Sequence, residues 1–193
     1  MKRLLIIFLI ALWAISCNTD SNSNQHQHES HASESESTEK KPSLSPHTSA
    51  MAMIGDAHVH IDYSSPRVRD RIIWGGLVAY DNVWVTGAHN ATWIQTNKDL
   101  MINGNHLNAG KYAIFTIPGK EEWTVIINKN WEQHGKDEYD QADDVMRFTV
   151  IPELLEESKE ELTFEVVDSG NNKGTISMTW EKVRISFPFE VHL

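Results

Sequence analysis

From Met51 onward the chain is cut into short apolar runs by turn-forming residues, and no other feature restricts its fold as much. Leu100-Met101-Ile102, Lys111 to Ile117, Trp123 to Asn128, Val145 to Ile151, Leu162 to Val167, Thr175 to Trp180 and Val183 to Val191 are rich in β-branched and aromatic residues. Gly75-Gly76, Asp81-Asn82, Gly87, Gly104, Pro118-Gly119 and the Asp168 to Gly174 stretch separate them. Runs this short suit strands joined by tight connections better than helices. Leu77 to Tyr80, Val83 to Thr86 and Ala91 to Gln95 read as further strands, and Pro188 marks the last strand as edge or bulged. Only Pro152 to Glu161 has helical character. The expectation is an all-β domain over residues 51–193, an antiparallel, jelly-roll-like β-sandwich long enough for one core.

The first strand carries the chemistry. In Ala57-His58-Val59-His60-Ile61-Asp62-Tyr63, apolar Val59, Ile61 and Tyr63 alternate with polar residues. A period of two places His58, His60 and Asp62 together on the face away from the core. Neighbours on one strand face are two rises, about 6.5–7 Å, apart. Two imidazoles at that spacing can lean onto one metal ion.

The N-terminal third is different in kind. Met1-Lys2-Arg3, an apolar run from Leu4 to Ile15 and then Ser16-Cys17 describe an export signal over residues 1–16, too short for a membrane span. Ala14-Ile15-Ser16-Cys17 resembles a bacterial lipobox, with Ala14 where leucine is usual. Cys17 is therefore the expected lipidation site, and the chain an envelope lipoprotein held to a membrane by its lipid alone. Residues 17–50 are almost devoid of apolar side chains and read as a disordered tether. His26, His28, His31 and His47 recur there among Glu29, Glu34 and Glu36, a composition that hints at metal binding.

Cys17 is the only cysteine, so the domain has no intramolecular disulfide, thiolate ligand or thiol nucleophile. Without thiolate there is no blue-copper electron-transfer centre. The formal charge is −10, and loss of Lys2 and Arg3 with the leader makes it more negative. Such a body is a poor partner for nucleic acid or for the headgroups of anionic lipid.

The candidate ligands are His58, His60, His89 and His134. His89 follows Gly87, where the backbone can bend or approach a neighbour closely, and is the natural third imidazole. His134, in the loop Asn130 to Gly135, is a possible fourth. Neutral imidazoles suit copper or zinc, with Cu(II) highest in affinity, and no organic cofactor is implied. An open three-histidine zinc site could activate water, which makes a hydrolytic enzyme the alternative. Glu132, Asp62 or Asp56 could then serve as base, although no spacing singles one out. No catalytic residue is assigned, since Ser64-Ser65 lacks a nucleophile-elbow motif. The acidic run from Asp137 to Asp144 lacks the spacing of a calcium loop and reads as a solvated loop. Most of the tryptophans lie in apolar strands and belong to the core. Trp93 and Trp131 are the two that could face out, which leaves a glycan- or protein-binding module as the non-metal reading. No particular protein partner is indicated.

Several longer segments carry a resemblance. They are Ser65-Pro66-Arg67-Val68-Arg69, Ile73-Trp74-Gly75-Gly76-Leu77-Val78, Val83-Trp84-Val85-Thr86-Gly87-Ala88, Ala109-Gly110-Lys111-Tyr112, Phe115-Thr116-Ile117-Pro118-Gly119 and Glu122-Trp123-Thr124-Val125-Ile126. With Asp143-Asp144-Val145 and Trp180-Glu181-Lys182, they resemble the bacterial domain of unknown function 2911 family over nearly the whole globular part. The resemblance implies an exported β-rich domain and says almost nothing of activity. The family pattern commonly has arginine at Val85, asparagine at His89, glycine at Asp70 and proline at Ala79. A site that uses His89 would therefore mark one branch of the family.

Overall fold

The structure is a computed structural model that describes residues 43–192. The expectations for the export signal, for Cys17 and for most of the tether lie outside the described residues. Ten strands form two antiparallel sheets. The first sheet has the order β1 (His47–Ile54), β2 (Ala57–Ser64), β3 (Trp93–Thr96), β6 (Gly110–Ile117), β7 (Trp123–Asn128) and β8 (Asp144–Val150). The second has the order β5 (Asn105–Leu107), β4 (Leu100–Ile102), β10 (Lys173–Val191) and β9 (Glu153–Gly170). Among the described residues the only helical element is a single 3-10 turn, Gln141–Asp143.

Alternation along the strands builds the core between the sheets. Ala57, Val59, Ile61 and Tyr63 of β2 are buried while His58, His60 and Asp62 are half-buried on the other side. The inward residues pack with Ile94, Ile114, Ile127, Met178, Ile185 and Phe187 in one cluster that draws on both sheets. Trp74, Trp84, Trp123 and Trp180 join it as a group of edge-on and stacked rings, with centroids 4.8 Å apart for Trp74–Trp123 and 5.8 Å for Trp84–Trp180. Aromatic groups of this geometry contribute beyond the area they bury.

Three sequence expectations are corrected. Pro152 to Glu161 is not helical: Glu153 onward is strand, because β10 supplies a partner along its length. Leu154 faces Val183 and Glu153 faces Arg184, with an Arg184–Glu153 ion pair of 3.6 Å. Tertiary pairing here overrides a weak local preference. Leu77 to Tyr80 and Val83 to Thr86 form turns and isolated bridges, Trp74–Val78 and Trp84–Thr116, instead of strands. Positive φ at Gly75 (78°), Asp81 (59°) and Thr86 (55°) breaks the extended path there. Finally, the domain begins earlier than Met51. β1 starts at His47, and its pairing with β2 runs from His47–Ser64 to Ile54–Ala57.

Other expectations match. The Asp168 to Gly174 region is a hairpin turn, with Asn171 and Asn172 both at positive φ. The last strand is not an edge, since β10 lies between β4 and β9 and is bulged between Thr179 and Val183; Pro188 falls beyond Arg184, where the ladder to β9 has ended, so its missing N–H interrupts no pairing on that flank.

Candidate functional site

The outer face of the six-stranded sheet is covered over its middle and bare at one end. Ala113, Phe115 and Ile126 point outward from β6 and β7 and are buried under loop residues Val83, Val85, Ala91, Trp131 and Tyr139. The covering loop after β7 is fastened by Asp144, whose carboxylate accepts from the Asn128 amide (2.8 Å), the Tyr139 hydroxyl (2.9 Å) and Arg147 Nε (2.6 Å). Asp140 caps the 3-10 turn and Asp143 pairs with Lys129 at 3.0 Å. Three carboxylates of the acidic run are thus tied into the structure of the loop instead of being free in water.

At the bare end lie β1 and β2. They form a hairpin around Gly55-Asp56, with Gly55 at φ 59° as the first residue of a two-residue loop that favours glycine there. Counting back from the turn, Met53 stands opposite His58 and Met51 opposite His60. Directly opposed residues have Cβ atoms about 4.5–5.5 Å apart. Ala50 and Ala52, which alternate with the methionines, turn toward the core. Met51 and Met53 therefore share the outer face with the two histidines, and they are 56% and 55% exposed.

The rings of His58 and His60 have centroids 6.0 Å apart and are tilted by 53°. Two imidazoles bound to one ion at about 2.0–2.1 Å put their ring centroids no more than roughly 6 Å apart, so the pair is within reach of a shared metal. Among the described residues neither ring has a hydrogen-bond partner, and His60 Nε2 is buried and unsatisfied. A buried polar atom left so is uncommon and calls for a partner. The backbone N–H of His58 is held by the Asn97 side chain at 2.7 Å, which fixes the strand at that point.

Trp93 closes one side, its ring edge-on to His60 at 5.1 Å. Beyond it the Lys111 ammonium lies 3.5 Å from the ring centroids of both Trp93 and Trp131. Burial between these rings lowers the Lys111 pKa, opposed by the carboxylates of Asp62 and Glu132. Asp62, which shares the face with the histidines, is already paired: its Oδ1 lies 2.7 Å from His47 Nε2.

His89 and His134 occupy a different place. His89 is exposed at φ 62°, and its carbonyl accepts from Gly135 N at 2.7 Å. His134 Nδ1 stands 3.2 Å from Asn90 Oδ1, within a bridge between Asn90 and His134. His134 lines a cleft of about 360 Å³ with Trp93, Trp131, Glu132 and Glu138, and His89 lies outside that lining. Gly87 serves close packing, since a Cβ there would stand 2.8 Å from Thr92 Oγ1. Among the described residues no group of three or more His, Cys, Asp or Glu side chains is placed to hold a metal ion. The expected meeting of His58, His60 and His89 is therefore not formed in this conformation, and His134 does not complete it. Loop geometry decides this, because the backbone turns taken by Thr86 and His89 direct the loop toward Gly135. His106 lies 3.2 Å from Asp99 and edge-on to His192.

Met51 and Met53 were not legible as partners of the histidines, because the sequence has no Met-rich run and β1 was not read as a strand. The signal was present. Met51-Ala52-Met53, a Gly-Asp turn and His58-Val59-His60 together specify a hairpin whose outer face carries Met51, Met53, His58 and His60.

No curated protein and no solved structure matches this chain. A family model described as "Protein of unknown function (DUF2911)" matches residues 45–189, which covers nearly every strand described above. On that match, the chain belongs to the domain of unknown function 2911 family.

Proposed function

We propose that this domain binds one transition-metal ion, copper in preference to zinc, through His58 and His60, and that Cys17 anchors the chain to a membrane of the bacterial envelope. The observation that carries the reading is the imidazole pair. Two histidines on a rigid strand stand 6.0 Å apart without competing hydrogen bonds among the described residues, at the uncovered end of a sheet face. Preorganised ligands on a strand lose little freedom on binding. The acidic chain favours cations in general, and the histidines before Met51 supply further imidazoles on the same chain.

A hydrolytic zinc centre needs three protein ligands with an open position, and two adjacent imidazoles fall short of it. A glycan platform needs open aromatic faces, whereas Trp93 and Trp131 enclose Lys111. Metal holding is the better-supported reading.

Calorimetric titration with Cu(II) and with Zn(II) tests it. The chain with His26, His28 and His31 changed to Ala should bind one equivalent in the domain. Adding His58→Ala or His60→Ala should weaken binding at least tenfold. Unchanged affinity in both variants would refute the reading.

A further inference from the structure

We infer that Met51, Met53, His58 and His60 together form a copper(I) site, with two thioethers and two imidazoles as the donors. The inference rests on the proposed metal reading of His58 and His60 and deepens it, by naming the ion's oxidation state and the other half of its shell.

The register sets the arrangement. Met51 faces His60 and Met53 faces His58 across an antiparallel pair, all on one side of the sheet. Cross-strand neighbours are about 5 Å apart and same-strand neighbours about 6.5–7 Å apart at their Cβ atoms. Four donor-bearing side chains thus rise from the corners of a small rectangle. Both methionines are long and unbranched, so their sulfur atoms can swing inward over it.

Nothing in the packing asks for methionine at these positions. The core face of β1 is made by Ala50, Ala52 and Ile54, and the two methionines leave more than half their surface in water. A polar residue would serve an exposed strand face at least as well. Two thioethers opposite two imidazoles do have a use in binding a soft cation.

The donor set selects the ion. Thioether sulfur is soft and suits Cu(I), and imidazole accepts it as well. Zn(II) and Cu(II) gain little from thioether. No carboxylate competes for the site: Asp62, the nearest on this face, is engaged by His47. All four donors are uncharged when the imidazoles are neutral, so a singly charged ion adds little charge to desolvate. Trp93 walls the site on the β3 side, and Met51 and Met53, both more than half exposed, stand on the solvent side.

The test is competition for Cu(I) against a chromophoric Cu(I) chelator under anaerobic, reducing conditions, with parallel Zn(II) titration. It uses the full chain with His26, His28 and His31 as Ala. The parent should take one Cu(I). The Met51→Leu/Met53→Leu double variant, similar in volume and altered only on an exposed face, should lose at least tenfold in Cu(I) affinity and keep its Zn(II) affinity. X-ray absorption of the Cu(I) form should show sulfur near 2.3 Å, the usual first-row metal–sulfur distance, and the double variant should lose that signal. If the double variant holds Cu(I) like the parent while His58→Ala or His60→Ala does not, the thioether assignment is wrong and the imidazole reading stands. Equal loss of Cu(I) and Zn(II) in the double variant would also overturn the thioether role. If neither the methionine nor the histidine variants alter binding, both fall.

Discussion

Tyr63 shows how one side chain serves both the fold and a measurable pH response. Its ring packs edge-on to Phe164 in the core, and its hydroxyl oxygen accepts from the Phe164 backbone N–H at 3.2 Å. Burial raises its pKa above 10.0, an effect opposed by that hydrogen bond. The folded state therefore keeps the phenol proton where the unfolded chain releases it. Stability from this group is full below pH 10 and is lost as pH rises through the folded-state pKa. Urea unfolding at several alkaline pH values should show that decline, and Tyr63→Phe should flatten it. The decline should not vanish, because burial raises Tyr112 and Tyr139 in the same direction. Asp144 offers a test of the loop fastening. Its side chain is 7% exposed and accepts from three donors, one of them on fully buried Asn128. Asp144→Ala leaves those donors without their acceptor and should cost about 2–3 kcal/mol. A thermal melt should fall by roughly 5–10 °C. A change of under 1 °C would mean the loop is held by its apolar contacts alone.

At the level of elements, strands between clear turns were legible in the sequence, and strands defined by distant partners were not. Trp123 to Asn128 was readable to the residue as β7 because a proline-glycine turn precedes it and its side chains are almost all apolar. The Glu-rich start of β9 was misread because its local composition favours a helix. The ladder that overrules that preference comes from residues far along the chain. β1 was missed altogether for a related reason: His47, Thr48 and Ser49 are polar, as in the tether, and pairing with β2 makes the segment strand. That pairing supplies a prediction. A chain starting at residue 43 should melt like the longer one. A chain starting at Met51 loses half of β1 and the His47–Asp62 contact, and its melting temperature should fall by about 5 °C or more. Equal melting of the two would show that the start of β1 adds nothing to stability.

At the scale of the whole molecule, the proposed function combines a lipid anchor at Cys17 with metal binding on the outer face of β1 and β2. The anchor predicts that Cys17→Ser leaves the precursor uncleaved by lipoprotein signal peptidase and releases the domain from membranes, as fractionation would show. Fractionation identical to the parent's would contradict it. Half of the proposed site was legible in His58-Val59-His60, since strand period alone puts both rings on one face. The part assigned to His89 and His134 was not, because a loop's direction depends on backbone turns that no residue pattern there announces. The central claim is that His58 and His60 hold a metal together, and the ring resonances of the histidines test it most directly. In NMR spectra of the full chain with His26, His28 and His31 as Ala, titration with diamagnetic Zn(II) should shift the imidazoles of His58 and His60 in concert. The shifts should saturate at one equivalent and leave His89, His106, His134 and His192 unmoved. Unmoved rings of His58 and His60, with the response at other histidines instead, would contradict the account.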